Sequence, residues 1–168
     1  MNGERNGKGK EYYDNGKLLF EGEYLNGVRN GKGKQYYDNG KLKFDGEYLY
    51  GFKSKGKFYI NEKLEYEGEY LFDKKYNGKG YEFDNIIYEL KNGNGKVKEY
   101  YDEGCLRFEG EYLNGKRNGK GKEYNSIGIL IYEGEYLNGK RNGKGKEYDC
   151  LNGKIKFEGE YLNGKRLS

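Results

Sequence analysis

The tetrapeptide Gly-Glu-Tyr-Leu occurs six times, with its glycine at Gly22, Gly46, Gly68, Gly110, Gly134 and Gly159. Successive copies lie 24, 22, 42, 24 and 25 residues apart. A recurring period of this order marks a repeat architecture, in which each unit buries its surface against its neighbours. The long interval conceals a degenerate unit: Tyr88 to Asp102 aligns without gaps to Tyr24 to Asp38, which divides 42 into 18 and 24. A second marker, Asn-Gly-Lys-Gly, begins at Asn6, Asn30, Asn77, Asn118 and Asn142, and Asn94 opens a variant with Val97 in place of the last glycine. About seven units fill the chain. The expected organisation is a single array over residues 1–168, with degenerate central units near residues 52–95.

Local signals describe the unit. Asp14-Asn15-Gly16-Lys17 and Asp38-Asn39-Gly40-Lys41 are tight-hairpin sequences, expected as type I′ turns with positive φ at both Asn and Gly. Segments of strand length flank the second, Lys32 to Tyr37 and Leu42 to Leu49. A looser connection, Asn26 to Gly31, then returns the chain to the next strand. No segment shows a helical period of apolar residues. The reading is all-β, with roughly fourteen short strands. Ser54 to Ile60 lacks the Asn-Gly marker and Tyr81 to Ile86 reads as a hairpin that has lost its tip, so a kink, bulge or change of curvature is expected there.

Alternation assigns the faces. Phe20, Gly22 and Tyr24 share one face, and Glu21, Glu23 and Leu25 the other; on the next strand Gly31, Gly33 and Tyr37 oppose Lys32, Lys34 and Tyr36. Glycine weakens a strand unless something lies over it, and a neighbouring aromatic ring can cover the bare backbone. Glu21 and Glu23 can meet Lys32 and Lys34 across the ladder. Composition fits this picture. Only 33% of residues are hydrophobic and 36% are charged, a balance common in disordered chains. Yet the net charge is +4 and 17% of residues are aromatic, which disordered segments are not. Thirty glycines without a proline exclude collagen and Pro-rich linkers. The fold expected is an elongated single-layer antiparallel sheet of consecutive β-hairpins.

Candidate chemistry is sparse. There is no His and no Thr, and the serines are Ser54, Ser126 and Ser168, so triads, His-based bases and most zinc sites are out of reach. Cys105 and Cys150 are 45 residues apart, nearly two periods, and are expected to stay unpaired in a reducing, intracellular setting. Paired Glu at i and i+2 recurs in unit after unit, which marks a charge ladder and not a catalytic pair. Asn-Gly-Lys-Gly resembles a phosphate-cradling loop in composition only, since no helix follows it. No catalytic residue, metal ligand or cofactor is expected, and the chain reads as no enzyme. No stretch is long and apolar enough for a membrane helix.

Phe20-Glu21-Gly22-Glu23-Tyr24-Leu25-Asn26-Gly27 followed by Arg29-Asn30-Gly31-Lys32-Gly33 resembles the MORN (membrane occupation and recognition nexus) repeat, as do Phe108 to Gly121 and Tyr132 to Gly145. The resemblance spans essentially the whole chain. Tyr24, Tyr48, Tyr112, Tyr136 and Tyr161 stand where that family usually has Trp. It implies a single-layer, twisted, sometimes dimerising sheet, and a scaffolding role at membranes or cytoskeleton with protein partners. It also implies a phosphoinositide-binding role.

Two surfaces follow as expectations. Tyr24, Tyr48, Tyr70, Tyr112, Tyr136 and Tyr161 form an exposed aromatic stripe for docking a protein partner. The looser connections carry Arg29, Lys116, Arg117, Lys140, Arg141, Lys165 and Arg166 on one long edge, which could hold a peripheral membrane by its anionic phospholipid or phosphoinositide. Glu beside nearly every Tyr disfavours nucleic acid. Edge strands near residues 8–13 and 155–162 are expected to offer backbone groups to another chain, by end-to-end or antiparallel self-association or to an unrecognised partner strand.

Overall fold

The computed structural model describes residues 4–167, and contains no helix among them. Met1 to Gly3 and Ser168 lie outside the described residues. One antiparallel sheet contains, in order, β1 (Gly7–Tyr12), β2 (Leu18–Leu25), β3 (Val28–Tyr36), β4 (Leu42–Leu49), β5 (Phe52–Ile60), β6 (Lys63–Leu71), β7 (Lys74–Glu82) and β8 (Asn85–Leu90). A second contains β9 (Gly95–Tyr100), β10 (Leu106–Leu113), β11 (Lys116–Tyr124), β12 (Leu130–Leu137), β13 (Lys140–Tyr148), β14 (Ile155–Leu162) and the two-residue β15 (Lys165–Arg166). In both sheets each strand pairs only with its neighbours in sequence.

The antiparallel hairpin array is as expected; its continuity is not. Contacts divide the chain into two compact units, one up to Ile87 and one from Tyr88 onward. The ladder lapses after Leu90, where Lys91 and Asn94 keep a single isolated bridge. This is the short unit, whose strands β8 and β9 have six residues against eight or nine in most others. Elsewhere in the degenerate region the strands are continuous, and a bulge is present as expected: Lys55 faces Glu47 and Lys53 faces Tyr48, which leaves Ser54 as the extra residue. Ser54 to Ile60 lies within β5, and Tyr81 to Ile86 retains a two-residue turn at Phe83-Asp84.

The turns exchange roles relative to the sequence reading. In the Asp-Asn-Gly tips the closing bond runs from Gly40 N–H to the Tyr37 carbonyl (2.9 Å), so Asp38 and Asn39 are the central residues. Only Gly40 has positive φ (+86°), as in a type I turn closed by a left-handed glycine. The supposedly loose connection is the true two-residue turn: Asn26 and Gly27 both have positive φ (48° and 79°) and Leu25 pairs directly with Val28. The slack in that stretch is taken up inside β3. Asn30, Gly31 and Lys32 stand opposite Glu23 alone, and the Lys32 N–H donates to the Glu23 carboxylate (3.0 Å). Glu23 thus caps a bulge and does not meet the Lys32 ammonium.

The core is one face of each sheet. Gly22 pairs with Gly9 on one side and Gly33 on the other. A Cβ on Gly33 would stand 2.5 Å from Cζ of Phe20, so ring and side chain cannot share that space. The pattern recurs: Phe20, Phe44, Tyr66, Phe108 and Tyr132 are fully buried over glycine pairs. Phe20, Phe44 and Tyr132 each meet a Tyr of their own strand and one from the following unit edge-on. Phe20, for example, has Tyr24 at 5.6 Å and Tyr48 at 5.1 Å, contacts that add about 1 kcal/mol apiece beyond burial.

Candidate functional site

The tyrosines named for docking are corrected first. Tyr24, Tyr48, Tyr70, Tyr136 and Tyr161 are buried and Tyr112 is largely so. They close the gap between successive Phe or Tyr rings, so they are the core and no exposed stripe. Their hydroxyls serve it too. Tyr24 donates to Glu11 (2.6 Å), Tyr112 to Glu99 (2.6 Å) and Tyr136 to Glu123 (2.8 Å).

The arginines of the expected basic edge have the same fate. Arg29 pairs with Tyr24 in register, which aims it at the aromatic face. Its guanidinium stands 4.1 Å over the Phe20 ring and forks onto both oxygens of Glu11 (3.1 and 2.6 Å). Arg117 and Arg141 lie 4.1 Å over Phe108 and Tyr132. In the second unit these pairs join into a chain. Arg117 bonds Glu99 and Glu123, Arg141 bonds Glu123 and Glu147, and Arg166 bonds Glu147. Burial opposes ionisation of Glu123, but hydrogen bonds and charge from Arg141, with Tyr136 and Arg117, outweigh it and hold the carboxyl below its ordinary range. Glu99 and Glu147 are lowered likewise against burial, by Arg117 and by Arg166. Of the predicted edge residues, Lys116, Lys140, Lys165 and Arg166 remain exposed, Arg166 while paired with Glu147; the three lysines carry no such partner in that row. Each is paired in register with an exposed leucine, Leu113, Leu137 or Leu162.

In the first unit the chain of ion pairs is interrupted. Gln35 occupies the place of Glu11, Glu99, Glu123 and Glu147, and its Oε1 accepts no hydrogen bond. The Tyr48 hydroxyl, which would donate there, is buried without an acceptor, and burial raises its pKa strongly. Lys53 replaces Arg and is lowered, chiefly by burial.

The opposite faces carry the expected Glu–Lys ladder, with Lys10–Glu21 at 3.4 Å, Lys34–Asp45 at 3.5 Å and Lys57–Glu67 at 3.6 Å. These pairs are exposed and contribute little each. Tyr36 also donates to Glu21 (2.8 Å), and its own pKa is pushed up to about 12 by burial and that carboxylate. Among the described residues no cluster of His, Cys, Asp and Glu could hold a metal ion, and both cysteines are free thiols.

The sequence reading missed a different surface. Along the two-residue turns of the first unit, Leu25, Val28, Leu49, Tyr50, Phe52, Leu71 and Phe72 are exposed. Tyr50 and Phe72 occupy left-handed turn positions (φ 50° and 49°) where other units have Asn. They are 72% and 68% exposed. The signal was present in the chain: Leu49-Tyr50-Gly51-Phe52 and Leu71-Phe72-Asp73-Lys74 depart from the Leu-Asn-Gly-Lys of the second unit at the positions a turn makes most prominent.

Two family models match. The MORN repeat covers residues 20–41, 108–128 and 132–150, and the MORN repeat variant covers residues 5–26 and 93–114. Together they span more than half of the chain. No curated protein matches it.

Proposed function

The chain belongs to the MORN-repeat family, a non-catalytic repeat type, and from that premise we propose that it is a non-enzymatic scaffold that binds protein partners through the apolar turn edge of its first unit. One observation carries the reading. Tyr50 and Phe72 combine a left-handed backbone, which costs a non-glycine residue about 1–2 kcal/mol, with side chains left mostly exposed, Phe72 meeting the Phe52 ring edge-on at 5.5 Å. A residue that is unfavourable on both counts in the free protein is accounted for by a partner that covers it. Aromatic side chains are also enriched at interface centres. The free thiols fit an intracellular setting.

The test replaces Tyr50 and Phe72 with the Asn found at the equivalent turns. Affinity capture from native extract with the wild type is expected to retain partners that Y50N/F72N loses, while the variant melts no lower than the wild type. Equal capture by both proteins would end this reading.

The pairing of exposed Leu113, Leu137 and Leu162 with exposed Lys116, Lys140 and Lys165 supports a second reading, peripheral binding to anionic phospholipid through the second unit. Flotation with phosphoinositide-containing vesicles across a salt series separates it from the first. Charge reversal of the three lysines should abolish flotation if lipid is the ligand.

A further inference from the structure

The outer edge of β14 is an incomplete copy of a junction found throughout both sheets. On one side β14 pairs along its length with β13; on the other, Tyr161 and Leu162 pair with Arg166 and Lys165, and the Leu167 N–H donates to the Glu160 carbonyl (2.8 Å). Ile155 to Gly159 faces no strand among the described residues. Phe157 is half-buried, whereas its equivalents Phe20, Phe44, Tyr66, Phe108 and Tyr132 are fully buried. The atoms nearest a Cβ on Gly159 would all belong to the Phe157 ring, while one on Gly134 would stand 2.6 Å from the facing backbone at Cα of Gly145. The missing element is therefore a strand with glycine opposite Gly159, lysine opposite Glu158 and an acidic residue opposite Phe157. Those are the partners that Gly134, Glu133 and Tyr132 find in Gly145, Lys146 and Glu147.

Strand β1 has that sequence. Lys8-Gly9-Lys10-Glu11-Tyr12 matches Lys144-Gly145-Lys146-Glu147-Tyr148 residue for residue, and β1 pairs with β2 alone. We propose that the edge of β14 binds β1 of a second copy of this chain, in the register Gly159 to Gly9, Glu158 to Lys10 and Phe157 to Glu11. The inference rests on the scaffold reading and names one partner for it. In this register Tyr24 of the second copy covers Phe157 as Tyr161 covers Tyr132, where the rings stand at 5.3 Å. Glu11 of the second copy, already bound to its own Arg29, becomes the acceptor for Arg166, as Glu147 is for Arg141. The row of arginines and glutamates then runs unbroken from one molecule into the next. The contact is heterologous, so it can propagate beyond a pair. Arg166 and Leu167 of one copy and Arg5 and Asn6 of the other stand in the same line of the pattern, so the junction closes as one of these short segments lifts. The bonds lost if the second copy's segment lifts are Gly27 N–H to the Arg5 carbonyl and Asn26 N–H to Asn6 Oδ1, each 3.0 Å.

Two measurements on the 168-residue chain test the proposal. Sedimentation over a concentration series is expected to show a weight-average mass rising from one chain to at least two. In a C105S/C150S background, a chain carrying E158C mixed with a chain carrying K10C is expected to form a mixed disulfide, since facing residues of an antiparallel pair lie about 4.5–5.5 Å apart at Cα. E158C mixed with K34C, on an interior strand, should not. A monomer at all concentrations, or cross-links that ignore the register, overturns the proposal. Partner capture that depends on Tyr50 and Phe72 can survive that outcome, so failure here is distinguishable from failure of the scaffold reading.

Discussion

Gln35→Glu is expected to stabilise the first unit. In the second unit Glu123 accepts from Tyr136 thirteen residues ahead (2.8 Å), Arg141 eighteen ahead (2.6 Å) and Arg117 six behind (3.2 Å). At the same offsets from position 35 stand Tyr48, Lys53 and Arg29. The three donors are in place and the acceptor is a neutral amide. A hydrogen bond to a charged group contributes about 1.5–3 kcal/mol. Against that stands the cost of withdrawing a carboxylate from water, several kcal/mol, which neighbouring cations offset. Working from one cation and one hydroxyl newly satisfied, the net gain is about 1–2 kcal/mol. For a unit of this size that is a rise in Tm of roughly 4–16 °C. Thermal and urea unfolding of Q35E and wild type at pH 7 and pH 3 provide the assay. The new carboxyl should titrate below its unfolded value, as Glu123 does, so the gain is present above the ordinary Glu pKa of about 4.3 and fades as pH falls through the lowered one. A midpoint at pH 7 no higher than the wild type's refutes the reasoning, as does a gain undiminished by acid.

Glu123→Gln is the converse, with an expected loss of about 2 kcal/mol at pH 7, since Arg117 and Arg141 keep Glu99 and Glu147; the difference from wild type should shrink in acid urea melts. Gly46→Ala places a Cβ 2.7 Å from both the Phe44 ring and Cα of Gly56 and should cost about 3 kcal/mol. Gly16→Ala meets nothing within 4 Å but keeps φ +78°, so about 1–2 kcal/mol is expected from backbone strain alone; equal losses in chemical denaturation would contradict the ring-over-glycine account. Y50N/F72N is expected to raise Tm slightly, because Asn tolerates the left-handed region better than an aromatic residue.

Much of this molecule was legible in its residues, and the misses share a cause. The Phe20–Gly22–Tyr24 face and its glycine cover could be read from alternation, because a side chain's face depends on parity along its own strand. The turns could not. Asn-Gly serves equally as the centre of a two-residue turn at Asn26-Gly27 and as the last half of a type I tip at Asn39-Gly40. Which one forms is decided by where the flanking strands pair. Placing the tight turn at the wrong end put Arg29, Arg117 and Arg141 in loops and so onto a basic edge. Pairing Tyr24 with Arg29 puts that arginine over a ring instead.

Period and alternation alone settle that the chain is a run of antiparallel hairpins with glycine beneath aromatic rings, since both depend only on neighbours along the strand. Tertiary structure decides which charges remain at the surface, that Gln35 interrupts a row of ion pairs, and that the ladder lapses between Leu90 and Gly95. Those outcomes depend on residues some 20 positions apart brought side by side by register, and register is a property of paired strands that no single strand carries.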